Sequence, residues 1–310
     1  MRRSTRPSNK EQETSARFAP SIQFHLPCCK LTQSSPSPAS PQHPAAVAAP
    51  PVLGADWLPF PYAPAFAFDA QSLRLAWPDL HALDAEPWPE DPRACQAWVC
   101  FHNGDFAGAQ TAGQDGGPSG WAAADRAALA YAALIEPREP ARLDLYRRIH
   151  ARAQQHAARA PHAPGAWFWM GYALWRYSQC ITMARALAQG LGQQVQQALE
   201  KTVALAPGHA LGQLALGAFQ AEIIDKVGAL VGAITYGAKP ESALRHLQEA
   251  RRLAPGAPAI LVETAHALLL LEGPARAPQA EQLYQQAAAA RPRDACERLW
   301  IELARAGLAL

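Results

Sequence analysis

The sequence predicts an all-α body built from repeated helix pairs, and three observations carry that prediction. Ala makes up about a fifth of the 310 residues, with Leu and Arg prominent, and these residues are strong helix formers. From about Arg93 onward apolar residues recur at spacings of three and four, with Gly and Pro between segments and no alternating, strand-like stretch. Leu/Ala-rich segments also end in proline four times, at Pro161, Pro207, Pro255 and Pro292, separated by 46, 48 and 37 residues. A recurrence of that length points to a solenoid, in which each unit packs on its neighbours.

Ahead of the helical body the chain changes character twice. Residues 1–54 are rich in Ser, Pro, Ala and Gln and carry too little apolar surface to offset their ordering entropy, so a disordered low-complexity tail is expected. Residues 55–92 contain DWLPFPYAPAFAFD, too broken by Pro for a long helix and too apolar to stay solvated. This stretch is expected to be an apolar arm packed on the body, with a short helix near Ser72 to Leu83. The repeat domain itself is assigned to 93–310.

Charge and cysteine usage narrow the function classes. The tail holds six basic and two acidic residues, which leaves 22 basic against 24 acidic in the rest. No basic face is concentrated enough to displace counterions from phosphates, so no nucleic-acid partner is expected. No apolar run reaches the roughly 18 residues that a membrane helix needs. The start, MRRSTRPSNKEQETS, lacks the apolar core of a secretory signal, and a cytoplasmic location is the expectation. The six cysteines, at 28, 29, 95, 100, 180 and 296, form no CxxC or metal-finger spacing and read as reduced thiols.

Positions inside each interval supply the stronger signal. Six residues beyond the prolines lie Trp167, Gln213 and Leu261, followed by the pairs Met170-Gly171, Leu216-Gly217 and Thr264-Ala265. Counting back from the last two prolines gives Ala243, Leu247, Ala250 and then Ala280, Tyr284, Ala287. Upstream, NGDFAGA at 103–109 has the make-up of a turn between two helices. Small residues at these places let antiparallel helices approach, large ones fill the gaps between units, and Pro ends the second helix. Over about Arg93 to Leu310 this pattern resembles the tetratricopeptide repeat family, as a divergent bacterial member of four or five units. The resemblance implies a right-handed superhelix of antiparallel helix pairs, and ERLWIELARAGL near the C-terminus resembles a solvating cap helix.

The chain departs from the family pattern around 176–193 and 221–242, where two successive units carry 12 and 14 extra residues. Helices prolonged at the same place should project on one side. These lengthened helices, and the segment ending in TYGA, are similar to bacterial tetratricopeptide proteins of unassigned function and, distantly, to the regulator-of-microtubule-dynamics group; no activity is carried across.

The resemblance also implies a concave groove that holds a peptide or partner segment. On the family register, Phe168, Tyr172, Trp175 and Arg176 would line it from one unit, Leu214 and Glu222 from the next, and His266 from the third. Tyr177 and Gln179 in RYSQ, with Tyr236 in TYGA, end the lengthened helices and would frame a ligand or peptide end. Arg176, flanked by Tyr172 and Glu222, is the expected polar contact, because Arg can clamp a carboxylate. The alternative for the aromatics is packing between helices, and for Tyr236-Gly237 a helix cap with Gly237 left-handed.

The expected function is therefore a non-catalytic interaction module or scaffold. One alternative is a small-molecule binder whose pocket the lengthened helices close. Another is a metal-dependent enzyme, since Glu263 and His266, and His246 and Glu249, share helical turns at the spacing used in di-iron bundles. That site needs two further inward carboxylates, with Glu222 as the plausible supplement, and His246 falls on the opposite helix of its unit. No cofactor is expected, and no zincin, nucleophile-elbow or phosphate-loop motif occurs.

Overall fold

The computed structural model describes residues 56–309; the expected tail, with Cys28 and Cys29, lies outside them. Residues 56–69 form an extended arm, followed by α1 (Ala70–Leu80). The helix begins ahead of Ser72 because Asp69 caps it: its carboxylate accepts the Ser72 amide, and the Ser72 hydroxyl accepts the Asp69 amide in return. Five antiparallel pairs follow. They are α2 (Pro92–Asn103) with α3 (Phe106–Asp115), α4 (Trp121–Leu134) with α5 (Glu139–Arg159), and α6 (Pro164–Gln179) with α8 (Leu191–Leu205). The last two are α9 (Ala210–Val227) with α11 (Pro240–Leu253) and α12 (Pro258–Glu272) with α13 (Ala277–Ala289). The short helices α7 (Met183–Ala188) and α10 (Ala229–Tyr236) interrupt the third and fourth pairs, and α14 (Ala295–Leu308) ends the fold. No strand occurs among the described residues. The architecture is an all-α, tetratricopeptide-like helical repeat.

Each pair forms where the sequence places small residues. A Cβ on Gly171 would meet the Ala198 Cβ of α8 at 2.9 Å. One on Gly217 would meet the Ala243 carbonyl oxygen and the Leu247 Cγ of α11, both at 2.9 Å. Ala250, Ala265 and Ala287 are fully buried at the equivalent contacts. The turn at 103–109 is made as its composition suggests, with Asp105 capping α3 through the Gly108 amide.

Two expectations are corrected. The extra residues do not prolong helices. Thr182 starts α7 as a separate helix by accepting the Arg185 amide, and Gly228, at φ +81°, ends α9 before α10 begins. Gly237 does close α10 in the left-handed region, at φ +68°. Nor is α14 only a solvating cap on α12 and α13. It turns back onto α2 and α4, burying Leu299, Trp300 and Ile301, while Arg293 donates to the Asp79 carbonyl at 2.7 Å. The solenoid thus closes on itself.

The arm reinforces this closure. Trp57 stacks on Tyr131 with ring centres 4.2 Å apart, and Phe60 packs edge-on to Phe106. After α1 the chain runs to α9 as a strap that buries His81, Leu83 and Asp84, in which the Leu83 carbonyl accepts the Leu211 amide and the Glu86 carbonyl accepts the Trp77 indole N–H. Ala85 takes φ +52° at the strap's bend, a conformation that costs a non-glycine residue about 1–2 kcal/mol.

Gly217→Ala is expected to destabilise the fold by about 1–3 kcal/mol through overpacking, although Ala gains about 1 kcal/mol over Gly in a helix. Urea denaturation followed by circular dichroism measures the balance. A variant as stable as the parent would contradict the close-approach account.

Candidate functional site

The inner surface is the place to look first, since the first helices of successive pairs face it. Helices α1, α4, α6, α9, α12 and α14 line a partly open pocket of ≈ 80 Å³. Ligand pockets span roughly 300–1,000 Å³, so this space suits a few water molecules and no drug-sized ligand. The strap and α14 occupy the volume that an open groove would offer.

The residues expected to line a groove are correspondingly enclosed. Phe168, Trp175, Arg176, Tyr177, Leu214 and Glu222 are buried, while Tyr172, Gln179, Tyr236 and His266 are half-buried. Phe168 stacks on Tyr172 and leans on His209 of α9. These aromatics pack between helices, as the alternative reading had it. Phe168, Tyr172 and Leu214 lie beside the strap and α14, while Trp175 and Arg176 are enclosed by their carboxylate partners on α9 and α12 and Tyr177 lies on the side of α5 and α8.

The expected cluster around Arg176 exists, with a different carboxylate. One terminal nitrogen pairs with Glu263 of α12 and donates to the Tyr172 hydroxyl at 2.6 Å; the other donates to Gln179 at 3.1 Å. The guanidinium also lies over the Tyr172 and Trp175 rings, 4.9 and 4.8 Å from their centres. Glu222 instead accepts from the Trp175 indole at 2.7 Å and from Gln179 at 2.6 Å, and pairs with Lys226. Gln179 bridges the two carboxylates' systems. Burial works against the Arg176 charge, but Glu263 outweighs it and drives the pKa well above the usual value. Burial likewise pushes the Tyr172 phenol up to about 12. The Glu222 carboxyl, opposed by burial, is held below its ordinary value by Lys226, Gln179 and Trp175.

A second buried cluster joins the two ends of the repeat. Asp84 of the strap accepts from His81 Nδ1 at 2.9 Å, His81 Nε2 meets His102 Nε2 of α2 at 3.2 Å, and His102 Nδ1 meets Asp294 at 2.8 Å. Asp294 also caps α14 through the Glu297 amide at 2.7 Å. The Arg126 guanidinium pairs with Asp84 from the other side. Burial pushes His81 down to about 4, and it opposes ionisation of Asp84 and Asp294, which Arg126 and the histidines hold low all the same.

The carboxylate–histidine pairs weighed for a metal do not converge. Glu263 is taken by Arg176, and His246 meets the Gln213 side-chain oxygen of α9 at 2.7 Å. Glu249 is paired on the exposed face of α11 with Arg252. Cys95, Cys100 and Cys296 are in the thiol form. Among the described residues no helix is long and apolar enough to cross a membrane.

Sequence reasoning missed the surface that remains. α7 exposes Met183 and Leu187, and α10 exposes Leu230, Val231 and Ile234, with Leu230 and Ile234 at 75% and 78% exposure. The two helices are neighbours through α8. Gly190 begins α8 two residues after α7 ends, and the Tyr236 ring of α10 covers Gly192, where a Cβ would meet it at 2.5 Å. The signal was present in ALVGAITY, eight residues with no charge, but a buried helix has the same composition.

Antiparallel pairs, small-residue contacts and proline-led helices make this an all-α helical repeat with a tetratricopeptide-like fold. No known protein family and no curated protein matches the sequence. Among solved structures the chain is similar to a thermophilic TPR protein of Thermus thermophilus, TTC0263, at 18% identity and a TM-score of 0.49, over 70% of this chain and 98% of that one.

Two outcomes test the interior. Arg176→Met strands Glu263 and is expected to cost about 3–5 kcal/mol, whereas Arg176→Met with Glu263→Leu should recover much of it; chemical denaturation of both variants gives the comparison. His209 is fully buried, caps α9 by accepting the Gly212 amide on Nδ1, and is pushed by burial down to about 4. Its unfolded pKa is about 6.5, so the unfolded chain binds more protons between the two values. His209 therefore contributes stability that is complete above about pH 6.5 and falls by up to about 3 kcal/mol as pH drops towards 4. His209→Asn, which keeps a capping acceptor, should flatten that part of the stability–pH curve.

Proposed function

We propose that the chain is a non-catalytic interaction protein whose partner is another protein, docked on the flank formed by α7 and α10. The observation that carries this reading is the contrast between the two surfaces. Inside, the aromatic and charged side chains are paired with one another and the pocket they leave is ≈ 80 Å³. Outside, five large aliphatic side chains stand exposed on two inserted helices that the neighbouring pairs hold in place. A contiguous exposed apolar patch on a folded domain is a mark of an interaction site.

The occupant that fits is an amphipathic helix. Leu230 and Ile234 lie one turn apart on α10, and Val231 widens the stripe, a spacing that accepts the apolar face of a partner helix. Groove docking of a peptide beside Tyr172 would require α14 and the strap to move, breaking the Asp84–His81–His102–Asp294 cluster. The geometry favours the outer flank.

A photo-crosslinking residue at position 234 should capture a specific partner in cells. Leu230→Ser with Ile234→Ser should abolish that capture from a second crosslinking position, 231, while leaving the melting temperature unchanged. Capture that persists at the parent level in the double variant would count against the flank. Capture by a crosslinker at Tyr172 would restore the groove.

A further inference from the structure

A larger space than the inner pocket lies under α7. A cleft of ≈ 460 Å³ opens between α5, α6 and the start of α8, with α7 as its roof. That volume falls within the range of small-molecule sites. It exists because of the insert at 176–193, for without α7 the α5–α6–α8 surface would lie open.

The lining has one sign. Arg147 and His150 enter from α5, Arg185 and Gln189 from α7, and Tyr177 with Leu174 and Leu191 form the floor; no acidic residue lines the cleft. Other arginines on this body are commonly matched: Arg148, next in sequence, pairs with Asp144, and Arg152 pairs with Asp125. Arg147 has no carboxylate partner among the described residues. Its Nε reaches the Leu143 carbonyl of its own helix at 3.4 Å, and its guanidinium sits over the Tyr177 ring at 5.8 Å. Arg185 likewise has no ion pair there, although α7 is anchored by the Thr182 cap. The His150 ring is oriented by its Nδ1 contact with the Met170 carbonyl at 3.1 Å, so its second nitrogen is the one available to a ligand.

We propose that this cleft binds a small organic anion, with a carboxylate or phosphate gripped by Arg147 and Arg185 and a non-polar body resting on Leu174, Tyr177 and Leu191. Two guanidiniums that lack counter-ions repel each other, and an anion placed between them removes that repulsion while accepting paired N–H donors. The aromatic and aliphatic floor supplies the apolar contact that a bare inorganic ion would not use. Tyr177, which the sequence placed at the end of a ligand, thereby acquires a role next to Arg147. The proposal is independent of the α7–α10 flank.

The test is isothermal titration of the full chain in low-salt buffer with phenyl phosphate, benzoate, inorganic phosphate and benzyl alcohol. Saturable binding of phenyl phosphate or benzoate is expected, and whichever is tighter identifies the headgroup. Benzyl alcohol should give no heat of binding. Arg147→Gln with Arg185→Gln should weaken binding at least tenfold without lowering the melting temperature, since both side chains are exposed. Arg147→Lys with Arg185→Lys should retain part of it, which guards against a fold defect in the glutamine pair. Leu230→Ser with Ile234→Ser should leave it unchanged. No saturable binding of either aromatic anion, or equal binding by the glutamine variant, overturns the proposal.

Discussion

Four groups in a row, Asp84, His81, His102 and Asp294, with Arg126 set against the first, tie the beginning of the repeat to its last helix. The closure of the architecture depends on these contacts. An isolated ion in this interior would be costly, because burial penalises any charge left without a partner. Here each carboxylate has partners, Asp84 in Arg126 and His81 and Asp294 in His102 and the Glu297 amide, so the set can be buried as a whole. The strained bend at Ala85 is accepted because it delivers Asp84 to that set, and the cap of α14 is the same carboxylate that receives His102.

Closure then decides which side chains face one another. In an open repeat the first helix of each pair looks into a channel, and aromatic or arginine side chains there meet a partner. Here they meet each other: Arg176 reaches across from the third pair to Glu263 in the fifth, and Trp175 reaches Glu222 in the fourth. Outside, two inserts add surface that plain helix pairs would lack. One supplies a charged roof over a cleft, and both supply apolar surface.

The helix pairs were legible because their determinants are local. Gly171, Gly217 and the alanines at 250, 265 and 287 mark the contacts, Pro and Asp mark the turns, and each acts within one unit. The pairing of Tyr172 with Arg176 was equally visible, since residues four apart on a helix are neighbours. The identity of the carboxylate was not. Glu222 and Glu263 both face inward on helices beside α6, and only the tilt between pairs selects one over the other. The closure was hidden for a similar reason: His102 and Asp294 lie 192 positions apart, and nothing in either neighbourhood announces the other. The breaks that make α7 and α10 separate helices rest on one threonine cap and one glycine at positive φ, signals too small to outweigh a continuous helical composition.

A linear stack of repeats has two exposed faces, and heat or denaturant can peel units from either end while the middle survives. In this chain the terminal faces cover one another. The first pair cannot loosen without uncovering Asp294, and the last helix cannot leave without stranding His102. Fraying, the usual weakness of repeat proteins, has no place to start, so the body should melt as one unit rather than in stages.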